Sequence, residues 1–533
     1  MKAPERRVFV GRGFEHLEER SMLSVTSIGD ELLVNDFVPR VQDAARSSAA
    51  VTASAETTIV VYEGKGPNDR HGVFAERLSA GGETLTPSFQ VNSTRRGEQH
   101  SPAVASDEGG GFVVAWAGRG MGDKQGVYSQ RFSADGLPLG EETRANETTG
   151  GKQAEPAIAV AGDGSFTIAW SGVGPGDDSG VFLRRFSASG DPIGGEVLVN
   201  REISDHQSSP DLAFDDSGSL VVAWQSRHQD GSDWGVYGQW FAADGSRMGG
   251  ETSLNTTTVA SQKAPTVAND PTAGVVVGWQ SRDQDGDSWG VVAREFTANG
   301  VASSAEVLLN EETEGHQQDP AIAVADDGRW LTAWTDGKSD GAGREVVSRT
   351  FDASGIAGDT EPVNRETSGR NSGHQRSPAL ATLGDDAVIV WSGNGATDHD
   401  GVHGQRYAID LDGGLQQPPQ LAPIDDRSAG AGMPLEIIVT ATDPNRFDML
   451  TFLLDVDDSP AGATLEPIDN NTARIAWSPP MSSIGQNVLF RVIVIDDGEP
   501  PLADSEDFLI NVTETGVVSP SAQAVDEAFG HSG

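Results

Sequence analysis

The chain has 533 residues, with 80 acidic and 37 basic side chains, a formal net charge of −43 and no cysteine. The absence of cysteine excludes disulfides and thiolate metal sites, and the negative charge argues against a nucleic-acid partner, whose phosphates it would repel. Apolar residues make up 36% of the chain, enough for a sizeable core, and the length predicts more than one domain. No apolar run reaches the roughly 18 residues that predict a transmembrane segment.

Residues 1–27 are predicted to be a disordered leader, because they lack the apolar stretch of an ordinary signal peptide. Within them, the segment from Phe14 to Ser24 resembles the L-E-x-R-x-L-L-S element near the start of many exported bacterial surface proteins. That resemblance implies a secreted or cell-surface location. The alternative is a disordered leader that contains no export signal.

Residues 28–411 contain seven copies of a unit of about 54 residues. Each copy has an aromatic residue at the end of an apolar run, and we expect this marker to be buried between adjacent units. A fixed period of this size indicates an array of supersecondary units. The markers are Tyr62, Trp116, Trp170, Trp224, Trp279, Trp334 and Trp391.

Each unit carries four short segments rich in Val, Ile, Phe, Tyr and Trp, separated by Gly, Asp and Asn clusters such as Ala134-Asp135-Gly136. Both features are typical of antiparallel strands joined by tight turns. Seven units of four strands predict an all-β fold, a seven-bladed β-propeller.

The seventh unit lacks its fourth strand, and the segment from Asp30 to Asn35 stands alone before the first unit. We therefore predict that Leu32 to Asn35 pairs with the strand around Val402 to Tyr407. Such pairing would close the ring and remove a free sheet edge.

The pattern D-G-x-F-V-V-A-W…G-V-Y-x-Q-R-F in these units resembles a repeat of large secreted bacterial proteins. This resemblance covers about 380 residues. It implies a secreted β-propeller repeat protein, and the molecular function of that family is poorly defined.

Every unit has an acidic residue between its second and third strands, and these loops are expected to surround one mouth of the ring. The residues are Asp69, Asp123, Asp177, Asp230, Asp285, Asp340 and Asp398. In the fourth and fifth units the loops end in Trp234 and Trp289. With Asp230 and Asp233 these tryptophans could bind a sugar or a peptide; alternatively, each begins the third strand and packs inside.

The loop Asp283-Gln284-Asp285-Gly286-Asp287 alternates oxygen donors around a glycine, as calcium loops do, but lacks the bidentate Glu of an EF-hand. Asp283, Asp285 and Asp287 are therefore candidate Ca²⁺ ligands. The alternative is a merely soluble polar loop.

Residues 412–419 are predicted to be a linker, 420–515 a β-sandwich, and 516–533 a disordered tail. The segments Ala441-Thr442-Asp443, Trp477-Ser478-Pro479 and Val494-Ile495-Asp496-Asp497-Gly498 resemble those of cadherin-like and bacterial Ig-like domains. By that resemblance Asp443, Asp496 and Asp497 are candidate Ca²⁺ ligands. The usual second acid after Asp443 is replaced by Pro444-Asn445, and the alternative is solvated turn carboxylates.

The sequence favours a non-enzymatic role, because no unit stands out chemically and no nucleophile elbow, phosphate loop or HExxH motif is present. We predict an extracellular or cell-surface binding and adhesion protein, possibly assisted by Ca²⁺. It would be a monomer or part of a larger surface assembly, and its partner a glycan or protein of a surface or matrix. The alternative is a carbohydrate-active hydrolase or lyase that uses the carboxylates of the mouth.

Overall fold

The structure, a computed structural model, describes residues 24–34, 49–54, 57–66, 69–337, 344–352, 355, 357–363, 375–383, 386–393, 401–410, 418–443, 450–455, 459–469, 471–496 and 502–514. The chain divides into two compact units at Leu411 and Asp412, and each is described by itself. No α-helix occurs in the described residues, which hold β-strands and one 3₁₀ turn, Met481–Ser483. No helix among them has the length and apolarity needed to cross a membrane.

The first unit consists of seven four-stranded sheets, and in each of them consecutive neighbours run antiparallel. The first four sheets are β2–β5 (Ala49–Ser54, Thr57–Gly66, Asp69–Ser79, Thr84–Gln90), β6–β9 (Gln99–Ser106, Phe112–Gly120, Asp123–Phe132, Pro138–Arg144), β10–β13 (Gln153–Val160, Phe166–Gly174, Asp177–Phe186, Pro192–Leu198) and β14–β17 (Gln207–Phe214, Leu220–Arg227, Trp234–Phe241, Arg247–Ser253).

The remaining three sheets complete the set. They are β18–β21 (Gln262–Asp270, Gly274–Arg282, Trp289–Phe296, Val307–Leu308), β22–β25 (His316–Val324, Trp330–Gly337, Glu345–Phe351, Ala357–Pro362), and β26–β28 (Arg376–Leu383, Asp386–Gly393, Gly401–Asp410) with β1 (Ser24–Leu33) as fourth strand. A single parallel bridge from Trp289 to His316 joins the β18–β21 and β22–β25 sheets.

The turns predicted from Gly, Asp and Asn clusters close the hairpins between third and fourth strands. Between β8 and β9, the Ser133 N–H bonds the Leu137 carbonyl at 2.8 Å. Gly136 takes a φ of 78° there, a left-handed conformation that glycine adopts without steric cost. The local sequence therefore fixes these hairpins.

The first strands of the seven sheets touch one another in a closed cycle, so the sheets stand around a central channel as in a β-propeller. The ring is closed by β1, where Leu32 pairs with Gly404 and Leu33 with His403. This confirms the pairing predicted for Leu32 and Leu33, while Asn35 lies outside the described residues. The predicted leader of residues 1–27 is wrong at its end, because Ser24–Ser27 already pair with Tyr407–Asp410.

The marker aromatics are fully buried between neighbouring sheets. Trp224 shares an apolar cluster with Ala169 and Val181 of the preceding sheet. Val34, just after β1, lies in the cluster that joins the first sheet to the last. Because each indole contributes roughly 2–3 kcal/mol on burial, these contacts stabilise the ring as a whole.

The second unit has two four-stranded sheets around one apolar core. Their orders are β29 (Gln420–Leu421), β31 (Leu435–Thr442), β34 (Thr472–Trp477), β33 (Thr464–Asp469), and β30 (Arg427–Gly430), β36 (Ala503–Thr513), β35 (Asn487–Ile495), β32 (Thr451–Leu454). Alternate residues of β31 are buried, as expected for a strand with one face on a core. Trp477, Phe490 and Phe508 fill that core.

Candidate functional site

One end of the sheets, called the mouth here, gathers the start of each first strand, the end of the second and the start of the third. In the fourth sheet this is visible in the register, where Ser226 pairs with both Gln207 and Gly235. The links between sheets and the loops between second and third strands therefore share one face. The described loops lie at the opening of the central channel.

The acidic residues of the first three loops do not form an exposed ring, which corrects the sequence-based expectation. Asp69, Asp123 and Asp177 are buried. Their carboxylates accept hydrogen bonds from Asn92, Asn146 and Asn200 at 3.0, 3.0 and 2.8 Å. Asp340 and Asp398 lie outside the described residues.

Each of these Asp residues belongs to a buried relay that ties one sheet to the next. The Asn146 amide N–H groups donate to the Asp123 carboxylate and, at 3.4 Å, to the side-chain oxygen of Gln153, which begins the next sheet. The Asn146 amide oxygen accepts the Val127 N–H at 2.8 Å. Buried carboxylates satisfied by neutral amide donors stabilise a fold. The repeated Asp, Asn and Gln are therefore structural.

The relay also explains the glycine of the G-V-Y segment. A Cβ at Gly235 would lie 2.7 Å from Asp230 Oδ2. Asp230, itself half-buried, accepts the Ser232 N–H at 2.9 Å. Its Oδ1 is thus bonded within the loop, whereas its Oδ2 is buried and has no hydrogen-bond partner among the described residues.

Asp233 is exposed at the mouth, and its carboxylate accepts a hydrogen bond from the Ser261 hydroxyl at 2.7 Å. That bond holds the pKa of Asp233 below its usual range, with further help from the positive charge of Lys263 and Arg227. The loop is therefore anchored to the next sheet.

The proposed calcium loop is arranged in a similar way. The Asp285 carboxylate accepts a hydrogen bond from the Asn310 side-chain amide at 2.9 Å, and the Asp287 carboxylate accepts the Gly315 N–H at 3.1 Å. Asp283 Oδ2 lies 3.7 Å from Arg282 Nε, within ion-pair distance. The described residues contain no group of three or more acidic or histidine side chains arranged to hold a metal ion.

Trp234 and Trp289 are brought together around one lysine. The Lys263 Nζ lies 5.1 Å from the ring centroid of Trp234 and 5.9 Å from that of Trp289. Both indoles are half-buried, and each begins a third strand, as the structural interpretation predicted. Because they remain partly exposed at the mouth, they also leave surface for a ligand.

A groove of about 330 Å³ opens beside Trp234, between the third and fourth sheets. Lys152, Glu155, Asp178 and His206 line it with Trp234. Glu155 is not free, because its carboxylate accepts hydrogen bonds from the Ser171 hydroxyl at 2.9 Å and the Ser209 N–H at 2.8 Å.

The first strands carry a bulge where they enter the channel. Six residues directly before a proline have φ between 50° and 53°, a conformation that is sterically costly for residues other than glycine. Four of the bulge N–H groups donate hydrogen bonds to side chains of the preceding sheet. Ala264 donates to Gln225 Oε1 and Ser377 donates to Thr335 Oγ1, both at 3.0 Å. The six residues are Ser101, Glu155, Ser209, Ala264, Asp319 and Ser377.

Asp211, two residues after one bulge, is the residue that breaks the repeat. Five of the other units have alanine at this position and one has Thr266. The Asp211 carboxylate accepts the Val267 N–H of the next first strand at 2.7 Å. Burial raises the pKa of Asp211 from 3.8 to about 6.

Asp211 is partly accessible, yet its pKa shows the desolvation of a deeply enclosed group. Both hold for a side chain on an inner strand whose carboxylate is turned onto the neighbouring first strand, where it accepts the Val267 N–H. Asp319, at the bulge of the sixth sheet, also has a raised pKa because of burial, although Arg344 and Arg376 nearby oppose the shift. Neither residue is among those predicted from the sequence, although the departure from alanine marks Asp211.

In the second unit, Asp496 is buried and accepts the Leu502 N–H at 2.8 Å, while Asp443 is half-buried at the end of β31. Asp497 lies outside the described residues. Asp496 therefore has a structural bond of its own.

No protein-family model and no curated protein matches this chain. Similar solved structures include the polysaccharide lyase Uly1 (10% identity, TM-score 0.43, covering 73% of this chain and 100% of that one) and the GH93 α-L-arabinofuranosidase of Fusarium graminearum with arabinobiose (12%, 0.42, 58% and 92%). A protein of unknown function from Dyadobacter fermentans DSM 18053 is comparable (12%, 0.42, 60% and 97%). Likeness at these identities concerns the fold alone.

The prediction of a binding and adhesion protein is wrong. Similar structures with a named activity include α-L-arabinofuranosidases, arabinanases and a polysaccharide lyase. Within the chain, Asp211 stands out from the other units, which removes the reason for predicting a non-enzymatic role.

Proposed function

We propose that this chain is a carbohydrate-active hydrolase or lyase whose reaction site is the mouth of the central channel. The observation that carries the proposal is Asp211, a single carboxyl group with a pKa near 6 in a position where the other units have alanine or threonine. Perturbed acidity at one non-repeated position in a channel is typical of a functional group.

A carboxyl group with a pKa near 6 is partly protonated at neutral pH, so it can give a proton to a leaving glycosidic oxygen. Both glycoside hydrolysis and elimination need a group that transfers a proton at that oxygen or at the sugar carbon. Burial supplies the shift, and the Val267 N–H fixes one carboxylate oxygen. Asp211 is therefore assigned the proton-transferring role.

The same mouth offers surface for the sugar. The half-buried indoles of Trp234 and Trp289 supply flat apolar faces on which sugar rings stack, and the groove beside Trp234 adds polar groups that bind hydroxyls. A glycan is thus the proposed partner.

The test is an activity screen of the full chain on soluble polysaccharides, including arabinan, galactan, xylan and polygalacturonate. Reducing ends report hydrolysis, and ultraviolet absorbance of an unsaturated product reports elimination. We expect one substrate to be cleaved, and Asp211→Asn to lose at least 100-fold in rate while keeping the hydrogen bond to Val267. Unchanged activity in Asp211→Asn would contradict the assignment.

The finer architecture also belongs to this proposal. Each of the seven sheets is one blade of a seven-bladed propeller, supported by the cyclic contacts of the first strands. The two sheets of the second unit form a β-sandwich of the cadherin-like or Ig-like kind, supported by their shared core.

Calcium binding and a secreted or cell-surface location stay predictions, as do a monomeric state or a place in a larger assembly. The Ca²⁺ ligands would be Asp283, Asp285 and Asp287 in the first unit, and Asp443, Asp496 and Asp497 in the second. Melting of the full chain in Ca²⁺ and in EDTA tests the metal, and equal melting temperatures would count against it.

A further inference from the structure

We propose that Lys263, between Trp234 and Trp289, is a subsite for the anionic group of an acidic sugar, a carboxylate or a sulfate ester. This inference rests on the proposed function and names the class of substrate. It is carried by the geometry of the two indoles and the lysine, and not by Asp211.

Lys263 lies in β18, directly before the bulge residue Ala264, at the mouth. Its Nζ faces two indole rings, at 5.1 and 5.9 Å from their centroids. Such contacts hold the ammonium group in place and leave its remaining N–H donors for another partner.

The ammonium group of Lys263 keeps hydrogen-bond donors for a ligand although the Asp233 carboxylate lies nearby. Lys263 forms no salt bridge with any residue that the structure describes. Asp233, whose pKa Lys263 helps to lower, accepts its hydrogen bond from the Ser261 hydroxyl rather than from the ammonium group. The cation at the mouth is therefore available to a ligand.

A second lysine supports the same chemistry. Lys152 lines the groove beside Trp234 and also lacks a salt bridge among the described residues. Trp234 thus lies between Lys152, which lines the groove, and Lys263, which packs on its ring. An acidic oligosaccharide that stacks on Trp234 could place one anionic group near each lysine.

The net charge of −43 does not oppose this assignment. At physiological ionic strength the screening length is about 8 Å, so distant surface carboxylates are largely screened from the mouth. Local groups decide the preference, and the charge-assisted bond from an ammonium to an anion is about twice as strong as a neutral one.

The experiment measures binding in the Asp211→Asn protein, in which the sugar is not turned over. Tryptophan fluorescence is titrated with an oligogalacturonate, its neutral methyl ester, a sulfated galactan oligosaccharide and a neutral arabino-oligosaccharide. We expect one of the two acidic ligands to bind about tenfold more tightly than the methyl ester, which identifies carboxylate or sulfate as the group recognised.

Lys263→Met keeps the aliphatic stem and should abolish this preference, whereas Lys263→Arg should retain it. Lys124→Met, at an exposed lysine of the second sheet, is the matched control and should leave the preference unchanged. Equal binding of acidic and neutral ligands, or a preference that survives in Lys263→Met, would overturn the inference.

The result also separates this inference from the proposed function. If Lys263-dependent binding occurs and the wild-type chain cleaves nothing, the subsite stands and the enzymatic proposal fails. If the wild-type chain cleaves a neutral glycan and Lys263→Met behaves as the wild type, the enzymatic proposal stands and the subsite fails.

Discussion

Replacing Asp211 with asparagine should change the pH dependence of stability in a defined direction. Asparagine Oδ1 can still accept the Val267 N–H, so the fold keeps this bond. The titratable proton is lost. The pKa of Asp211 is raised from 3.8 to about 6, a difference of about 2 units, and each unit corresponds to about 1.4 kcal/mol.

The sign follows from proton counts. Between pH 3.8 and about 6 the folded protein binds the Asp211 proton and the unfolded chain releases it, so the free energy of unfolding falls as pH rises. Above about pH 6 the wild type carries the whole cost of an ionised, enclosed carboxylate, about 3 kcal/mol. Most of that cost develops between pH 4 and pH 7.

The assay is urea unfolding of the full chain at pH 4 to 8, followed by tryptophan fluorescence, in the wild type and in Asp211→Asn. The variant should gain roughly 2–3 kcal/mol of unfolding free energy relative to the wild type as pH rises over this range. Asp216→Asn, at an exposed carboxylate of the same sheet, controls for the loss of one negative charge. A difference between wild type and Asp211→Asn that does not vary with pH would refute the reasoning.

Three further predictions concern the ring. Asn146→Ala removes the centre of one relay and leaves buried donors and acceptors unsatisfied, so calorimetry should show a loss of about 2–4 kcal/mol; an unchanged melting temperature would show that the relay is dispensable. Trp170→Ala opens a cavity between sheets and should cost about 3–5 kcal/mol in denaturant unfolding, far more than Leu137→Ala at an exposed turn. Deleting residues 24–34 removes β1 and should lower the melting temperature, and a peptide of these residues added in trans should restore it; failure of the peptide to bind would argue against a complementing strand.

Much of the fold follows from local patterns. The spacing of the marker aromatics predicts the repeating sheets, because an apolar run ending in an indole must be buried between neighbours. The lone segment around Leu32 predicts the ring closure, since a unit that lacks its fourth strand leaves an edge to be paired.

The candidate site was less accessible to this kind of reasoning. Trp234 and Trp289 could be singled out in the sequence as unusual aromatics in loops between second and third strands. Lys263 could not, because it lies in a first strand and only the fold brings that strand beside the two tryptophans. The ring of acidic residues was misjudged because carboxylates such as that of Asp123 look alike in sequence whether they face water or an asparagine.

The sequence by itself determined the all-β class, the repeat and the strand that joins the two ends of the ring, since each depends on periodicity and on turn chemistry along the chain. The tertiary structure alone decided which carboxylates matter. Asp211 departs from the alanine of the other units in the sequence, but its raised pKa comes from its place beside the first strand of the next sheet, since desolvation is a property of that place rather than of the residue.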